Sequence, residues 1–166
     1  MELRLGDDRD IPVLLDMFDE AVAWMVARGN TEQWGTEPWS TQPRRVDRLR
    51  RMVARAELWI AEVDGEPVGA MIVGDHPEPD VPPVDEPELY VLLLLVSRRH
   101  AGKRIGARLL DHARGEARAR GVGLLRLDSF AGGTGDLMRY YARNGFTPTE
   151  RFTDGAWTGQ VFEQRL

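Results

Sequence analysis

Between Val96 and Leu110 the chain reads VSRRHAGKRIGARLL, where Arg98, Arg99, Lys103 and Arg104 crowd around two glycines, Gly102 and Gly106. A solid apolar run, Tyr90 to Val96, precedes this segment, and apolar residues at helical spacing follow it. A strand that turns tightly into a helix leaves the first helical N–H groups without acceptors. Those amides, aided by the helix dipole, attract anions, and glycine lets backbone approach a bulky ligand closely. The chemistry suited to this pattern is capture of a phosphate-bearing ligand. A solvated basic helix start with packing glycines fits the same residues. Two familiar phosphate loops are excluded: no Gly-x-x-x-x-Gly-Lys-Ser/Thr string exists, and the dinucleotide fingerprint lacks its third glycine.

Other residues could do chemistry. Tyr141 has a phenol that is protonated at neutral pH and can donate a proton. Its i,i+4 relation to Leu137 equally suits a core aromatic, and Tyr140 is its rival. Trp34 and Trp39 lie in the polar loop TEQWGTEPWSTQP. They could floor a pocket for a cationic ligand through stacking or cation–π contact, or pin the loop onto the core. His100 and His112 have no second His or Cys at ligand spacing and read as turn or surface residues. His76 stands among Asp75, Glu78, Asp80, Asp85 and Glu86 in a Pro-rich loop. That loop reads as solvated, and no metal is expected. Together with Glu32 and Glu37 it could attract a cationic substrate.

The elements that must position these groups follow from periodicity. Glu2–Leu5 reads as a strand. A helix follows, with Asp10 as its cap, Pro12 in its first turn, and Ile11, Leu14, Leu15, Phe18, Val22, Met25 and Val26 inward. Arg28-Gly29-Asn30 ends it. A second helix spans Arg44–Arg55 with Val46, Leu49, Met52 and Val53 inward. Leu58–Val63 and Pro67–Val73 form a hairpin through Asp64-Gly65. After the acidic loop come the strand to Val96, the basic turn, and a helix to Arg120 stopped by Gly121. Leu124–Phe130 is a strand and Asp136–Asn144 a short helix ended by Gly145. The strands Thr147–Phe152 and Trp157–Arg165 turn at Asp154-Gly155. Alternating strands and helices closed by a hairpin imply a mixed sheet with helices on its faces.

With 166 residues, 42% of them hydrophobic and 30% charged, the chain suits one globular domain. A net charge of -5 argues against wholesale binding to nucleic acid or anionic membrane. There is no cysteine, which excludes disulfides, thiolate metal sites and a Cys nucleophile and fits a reducing, cytoplasmic setting. The N-terminus has no apolar signal core, and the run Tyr90–Val96 is too short to span a bilayer. Of 22 basic residues only Lys103 is lysine, a bias expected of a GC-rich bacterial genome.

The stretch from Leu89 to Phe152 resembles the GCN5-related N-acetyltransferase (GNAT) superfamily. Its motif Arg/Gln-x-x-Gly-x-Gly/Ala aligns with Ala101-Gly102-Lys103-Arg104-Ile105-Gly106. Ala101 and Arg104 depart from the motif and Gly106 retains it. The sequence LRLDSFAGGTGDLMRYYARNGFTPTERF resembles the family's following strand, helix and closing segment. The resemblance implies an α/β (α+β) fold in one domain, residues 1–166. Its central twisted sheet would be mixed but mostly antiparallel, with about seven strands and helices on both faces. It implies acetyl-CoA as co-substrate, with main-chain donors from Gly102 to Ala107 gripping its diphosphate.

The same resemblance implies that pantetheine pairs with the edge Leu94-Leu95-Val96, where this strand splays from the next, and that an amide near Val96 polarises the thioester. Tyr141, four residues before Gly145-Phe146, becomes the general acid. Gly133 stands where the family often has an Asn that contacts pantetheine. Glu88 is expected to begin the motif strand and is the candidate base, with a merely solvated carboxylate as the alternative. Leu92 stands where some relatives carry a polar residue and cannot do that work. Arg104 is expected to need only an ordinary helical φ, and the leucines of the run double as core. The implied activity is acetyl transfer to a primary amine of a small molecule: an antibiotic, polyamine or amino-acid-like metabolite. Transfer to protein N-termini or lysines, or a silent acyl-CoA-binding module, are the alternatives. A homodimer is conceivable from an exposed edge or the C-terminal hairpin.

Overall fold

The computed structural model describes residues 1–166. Its elements are β1 (Glu2–Leu5), α1 (Ile11–Ala27), α2 (Pro43–Arg55), β2 (Glu57–Val63), β3 (Glu66–Gly74), β4 (Leu89–Val96), α3 (Ile105–Ala119), β5 (Leu124–Phe130), α4 (Asp136–Arg143), β6 (Thr147–Asp154) and β7 (Trp157–Arg165). The seven strands are ordered β1-β2-β3-β4-β5-β7-β6. β4 and β5 pair parallel, while β1–β2, β2–β3, β5–β7 and β6–β7 pair antiparallel. The sheet is therefore mixed and mostly antiparallel. The chain divides into two compact units, Met1–Val73 with Leu93–Leu109, and Gly74–Leu92 with Leu110–Leu166.

In the first unit, Asp7 caps a 3-10 turn ahead of α1, and the Asp10 carboxylate accepts in return from the Asp7 amide. The expectation that Asp10 caps α1 itself does not hold. Its side chain makes no cap bond there and instead holds Arg4 at 2.8 and 3.2 Å. Ile11, Leu14, Phe18, Val22 and Met25 are buried as their spacing requires. Val26 is exposed, because the buried face centres on Leu14, Phe18, Ala21 and Met25. On α2 only Leu49 and Met52 are fully buried, and the arginines of its other face lie in solvent. The β2–β3 turn has φ of 52° at Asp64 and 77° at Gly65, the left-handed pair that a type I′ hairpin demands.

Gly69 of β3 sets how closely β4 and the start of α3 pack on it. A Cβ there would lie 2.9 Å from Ile105 Cγ2 and 3.1 Å from the Leu95 carbonyl oxygen. Because backbone cannot yield as a flexible side chain can, Gly69→Ala is expected to cost about 1–3 kcal/mol. A urea midpoint lowered at unchanged m-value checks it.

In the second unit β7 pairs along all of β5, from Leu124↔Arg165 to Phe130↔Gly159, and α4 packs on β5 and β6. β6 is exposed along most of its length. Pro148 and a register shift between Pro148 and Arg151 blunt this sheet edge against pairing with another chain. Val81 of the acidic loop is buried in a cluster with Tyr90 and Val161, which ties that loop to the sheet.

Candidate functional site

β4 changes character halfway along. The β4–β5 ladder runs Leu89↔Leu125, Tyr90↔Arg126 and Val91↔Leu127 and ends there, while both strands continue. Leu89, Tyr90 and Val91 are buried, but the next three residues, Leu92, Leu93 and Leu94, are only partly so. Alternate residues of a strand point to opposite faces, so both faces lose cover at once. These leucines keep part of the core role expected of them, since Leu92 packs against the cluster of Val81, Tyr90 and Val161. Past Val91 the strand offers apolar flanks and a backbone edge of the kind an extended ligand arm can pair with. Of the strand residues expected to bind, Leu94 and Val96 are partly exposed and Leu95 is buried.

Val96 leads into a loop held by backbone bonds. The Ser97 amide donates to the Val68 carbonyl at 2.9 Å, and a 3-10 turn follows at Arg98–His100. Ala101, Gly102, Lys103 and Arg104 are exposed, and Ile105 and Gly106 are buried in the first turn of α3. Gly102 has a left-handed φ of 79°. Arg104 also does, at 59°, so the expectation of an ordinary helical φ there is wrong. The backbone keeps the conformation that a glycine would favour although the residue is arginine. The first bond of α3 runs from the Arg108 amide to the Arg104 carbonyl. The amides of Ile105, Gly106 and Ala107 therefore precede the intrahelical ladder.

The four cations divide into two pairs. The Arg98 guanidinium lies 3.6 Å from the centroid of Trp24, and its pKa is lowered, first by burial and then by Arg28, whose own guanidinium is 4.5 Å from the same ring. Arg99 pairs with Glu20 and Glu66 at 3.4 and 3.6 Å. Arg98 and Arg99 thus tie the loop to its own unit. Lys103 and Arg104 stand exposed at the helix start, where an anion would meet them.

Trp34 and Trp39 are partly buried and close on Phe18 of α1. Trp39 stacks on Phe18 at 3.9 Å and 10°, Trp34 tilts against it at 5.0 Å, and the Trp39 indole N–H donates to the Trp34 carbonyl. Arg45 lies 4.4 Å over Trp39, so an internal cation already uses that face. This is the arrangement of a loop pinned to the core.

In the second unit, Tyr141 of α4 is 7% exposed and packs against Tyr140, Phe146 and Phe162. Burial, then Tyr140 and Asp128, raise its phenol pKa, so it stays protonated well into the alkaline range. Gly133, in the loop after β5, has a left-handed φ of 73°. Glu88 precedes β4 rather than beginning it, and it is not solvated. It is 7% exposed, and its two carboxylate oxygens accept from Arg126 Nε at 2.8 Å and Nη2 at 3.0 Å. Arg126 Nη1 also donates to the Pro82 carbonyl. Burial works to lower the Arg126 pKa, but the hydrogen bonds and charge of Glu88 outweigh it and raise it.

The parallel register explains the pair: Arg126 sits opposite Tyr90, and Glu88 lies two residues back on the same face. One step further along that face, the Tyr90 hydroxyl donates to Asp128 Oδ2 at 2.6 Å. Reading the sequence for single motifs missed Arg126, Asp128 and Tyr90. The available signal was alternation in LRLDSF, which places Arg126 and Asp128 on one face of β5.

His76 pairs with Asp75 at 2.7 Å, and His112 lies 3.7 Å from Glu116. No group of three His, Asp or Glu is placed to hold a metal ion. No helix is long and apolar enough to cross a membrane.

A splayed parallel strand pair that feeds a glycine-bearing loop and a helix start is the setting the sequence motif requires, and a profile of the acetyltransferase (GNAT) family matches residues 19–146. The chain belongs to the GNAT acetyltransferase family. Solved structures share the fold over its length. A GCN5-related N-acetyltransferase from Rhodopseudomonas palustris is 19% identical, with TM-score 0.72 and coverage of 99% of this chain and 95% of that one. PaiA N-acetyltransferase from Thermoplasma acidophilum, in complex with coenzyme A, is 19% identical, with TM-score 0.71 and full coverage of both chains. YncA from Salmonella typhimurium, solved with its cofactor acetyl-CoA, is 20% identical, with TM-score 0.66 and coverage of 99% and 93%. No curated protein sequence resembles the chain closely enough to count as a match. The family match makes the protein a GNAT-family acetyltransferase, for which the sequence resemblance implies acetyl-CoA as co-substrate.

The residues present fit that co-substrate. Left-handed backbone at Gly102 and Arg104, amides ahead of the α3 ladder and two exposed cations form a cradle of the sign and shape that a diphosphate needs. Arg104 holds this GNAT turn at a cost. A left-handed L-residue costs about 1–2 kcal/mol, and the greater unfolded-state freedom of glycine offsets about 0.4–1 kcal/mol of any relief. Arg104→Gly is therefore expected to raise Tm by roughly 1–4 °C, whereas Arg104→Ala, which keeps the strain, does not. Differential scanning calorimetry reads both.

Proposed function

We propose that this GNAT protein transfers the acetyl group of acetyl-CoA to a primary amine of a small molecule by direct attack in a ternary complex. The observation that carries the reading is the end of the β4–β5 ladder at Val91 with the loss of burial at Leu92–Leu94, immediately ahead of the loop of Gly102 and Arg104.

In this reading the main-chain donors from Gly102 to Ala107 grip the diphosphate, with Lys103 and Arg104 adding charge. The edge of β4 from Leu94 to Val96 pairs with the pantetheine arm, and Gly133 leaves room for it. Fixing the thioester this way removes much of the orientational cost of the reaction. A backbone amide near Val96 donates to the carbonyl oxygen as it becomes an oxyanion. The amine nitrogen, neutral when it attacks, forms the C–N bond as the C–S bond breaks, the Tyr141 phenol donates its proton to the departing sulfur, and the proton that the nitrogen sheds returns Tyr141 to its neutral form. Glu88 takes no proton in this scheme, because both its oxygens hold Arg126. Trp34 and Trp39 shape the acceptor side by fixing the loop between α1 and α2. The chain works as one catalytic domain in a reducing, cytoplasmic setting.

The test is thiol release from acetyl-CoA with a panel of polyamines, aminoglycosides and amino-acid amides, run beside peptides bearing a free N-terminus or a lysine. Turnover with a small amine and none with the peptides is the expected result. Preferential acetylation of peptides would overturn the acceptor class, and acetyl-CoA binding without turnover on any acceptor would indicate a silent acyl-CoA module.

A further inference from the structure

One flank of α2 carries charge that the chain does not match. The helix reads PRRVDRLRRMVAR, with six arginines against one aspartate, in a chain whose net charge is -5. Leu49 and Met52 are buried, and Arg44, Arg48, Arg51 and Arg55 are exposed. Their spacing, i, i+4, i+7 and i+11, sets all four on one side of the helix, each beside the next. At 1.5 Å per residue this stripe is about 16 Å long. Neighbours of like sign destabilise a helix, so a flank that only meets water gains from mixing signs. Here the single carboxylate lies off the stripe, where Asp47 stands 3.7 Å from Arg50. No carboxylate of the chain is within ion-pair distance of Arg44, Arg48 or Arg51. Arg44 also stands in the first turn, where the helix dipole opposes a cation. The repulsion reaches Arg45, whose pKa is lowered, first by burial and then by Arg48.

The surroundings of the stripe separate the anions that could match it. Single-stranded nucleic acid is held by aromatic rings beside a basic track. α2 has no aromatic residue, and Trp39, just ahead of it, is stacked on Phe18 and lies under Arg45. A helix on a membrane surface inserts large apolar residues next to its basic ones, and none of those on α2 is exposed. The net charge of -5 also works against long polyanions. A helix with carboxylates at the same spacing has the matching rise, and guanidinium grips carboxylate through two parallel bonds. We infer that the flank of α2 formed by Arg44, Arg48 and Arg51, and extended by Arg55, is a docking surface for an acidic helix of a partner protein. One exposed ion pair contributes little, so recognition comes from several in register at once. The docked partner lies against the helix that directly follows the loop of Trp34 and Trp39.

The probe is a fluorescein-labelled, alanine-based peptide of about 18 residues, long enough to form a helix of its own, with Glu in the same i, i+4, i+7, i+11 pattern. A control peptide has the same composition with its Glu residues spread around the helix. Oligodeoxythymidine of the same length and vesicles of phosphatidylserine and phosphatidylcholine are titrated in parallel. Fluorescence anisotropy reads peptide binding at about 20 mM and about 300 mM salt. Wild type should saturate with the patterned peptide at low salt, bind the control at least about fivefold more weakly, and lose most of its affinity at high salt. The double variant Arg48→Glu, Arg51→Glu should bind the patterned peptide about tenfold more weakly or worse. Arg50→Gln, on the other flank, should stay within about twofold of wild type. The double variant should melt at the wild-type Tm or above, because it removes like-charge neighbours.

Equal affinity for the two peptides, no saturation with the patterned one, or unchanged binding by the double variant would overturn the assignment. So would tighter binding of the oligonucleotide or the vesicles than of the patterned peptide. A lowered Tm of the double variant would also count against it, because the stripe would then support the fold itself.

Discussion

Tyr141→Phe is expected to lower kcat by about 10²–10⁴-fold, the contribution of a placed general acid, while acetyl-CoA affinity holds within about twofold. The phenyl ring keeps the contacts with Phe146 and Phe162, so fold and ligand grip survive and only the proton donor is lost. A purely structural Tyr141 would give the opposite pattern, with lower stability and little change in kcat for the folded fraction. Rapid-quench kinetics of acetyl transfer, together with calorimetry, separates the two. The raised pKa adds a second signature. A phenol whose folded-state pKa lies above its unfolded value of about 10 keeps its full stabilising contribution below pH 10 and loses it as pH rises further. Tyr90 acts in the same direction, because burial and then Asp128 raise it too. Denaturant melts of the wild type should accordingly show stability falling from about pH 10 upward, and less steeply in Tyr141→Phe.

The second large effect concerns the buried ion pair. Arg126→Leu leaves the Glu88 carboxylate, 7% exposed, without its bidentate partner. Removing one member of a buried pair costs about 3–5 kcal/mol, which in a chain of this size lowers Tm by roughly 6–20 °C. Glu88→Leu should cost a similar amount, and the double variant far less than the sum, because two apolar side chains of similar volume strand no charge. Chemical denaturation of the four proteins in the cycle checks this. If Glu88 were instead a solvated carboxylate, the single substitution would change stability by under about 0.5 kcal/mol.

These two sites show what was legible in the sequence. The end of β4 at Val96 and the bounds Leu124–Phe130 and Trp157–Arg165 match the structure because unbroken apolar or alternating runs are flanked by Ser97, Gly123, Gly132 and Gly155. The turn after β4 was readable because glycine spacing reports backbone conformation, and Gly102 has the left-handed φ of 79° that such a turn uses. What side chains do across strands was not readable. Glu88 and Arg126 are 38 residues apart, and only the parallel register brings them together. The left-handed φ of Arg104 escaped for a related reason: tertiary anchoring by Ser97 and Arg99 fixes the turn, so it overrides the local preference of arginine. Trp34 and Trp39 were ambiguous because a polar loop sequence does not reveal Phe18 beneath it.

The most direct measurement is isothermal titration calorimetry of the purified protein with acetyl-CoA and, separately, with S-acetylpantetheine, which carries the same acetylated arm without the diphosphate. If amides ahead of the α3 ladder grip that group, acetyl-CoA saturates a single site and S-acetylpantetheine binds at least about 100-fold more weakly, since charge-assisted bonds to several donors are lost together. Equal affinity for both ligands, or no saturation with acetyl-CoA, would contradict it.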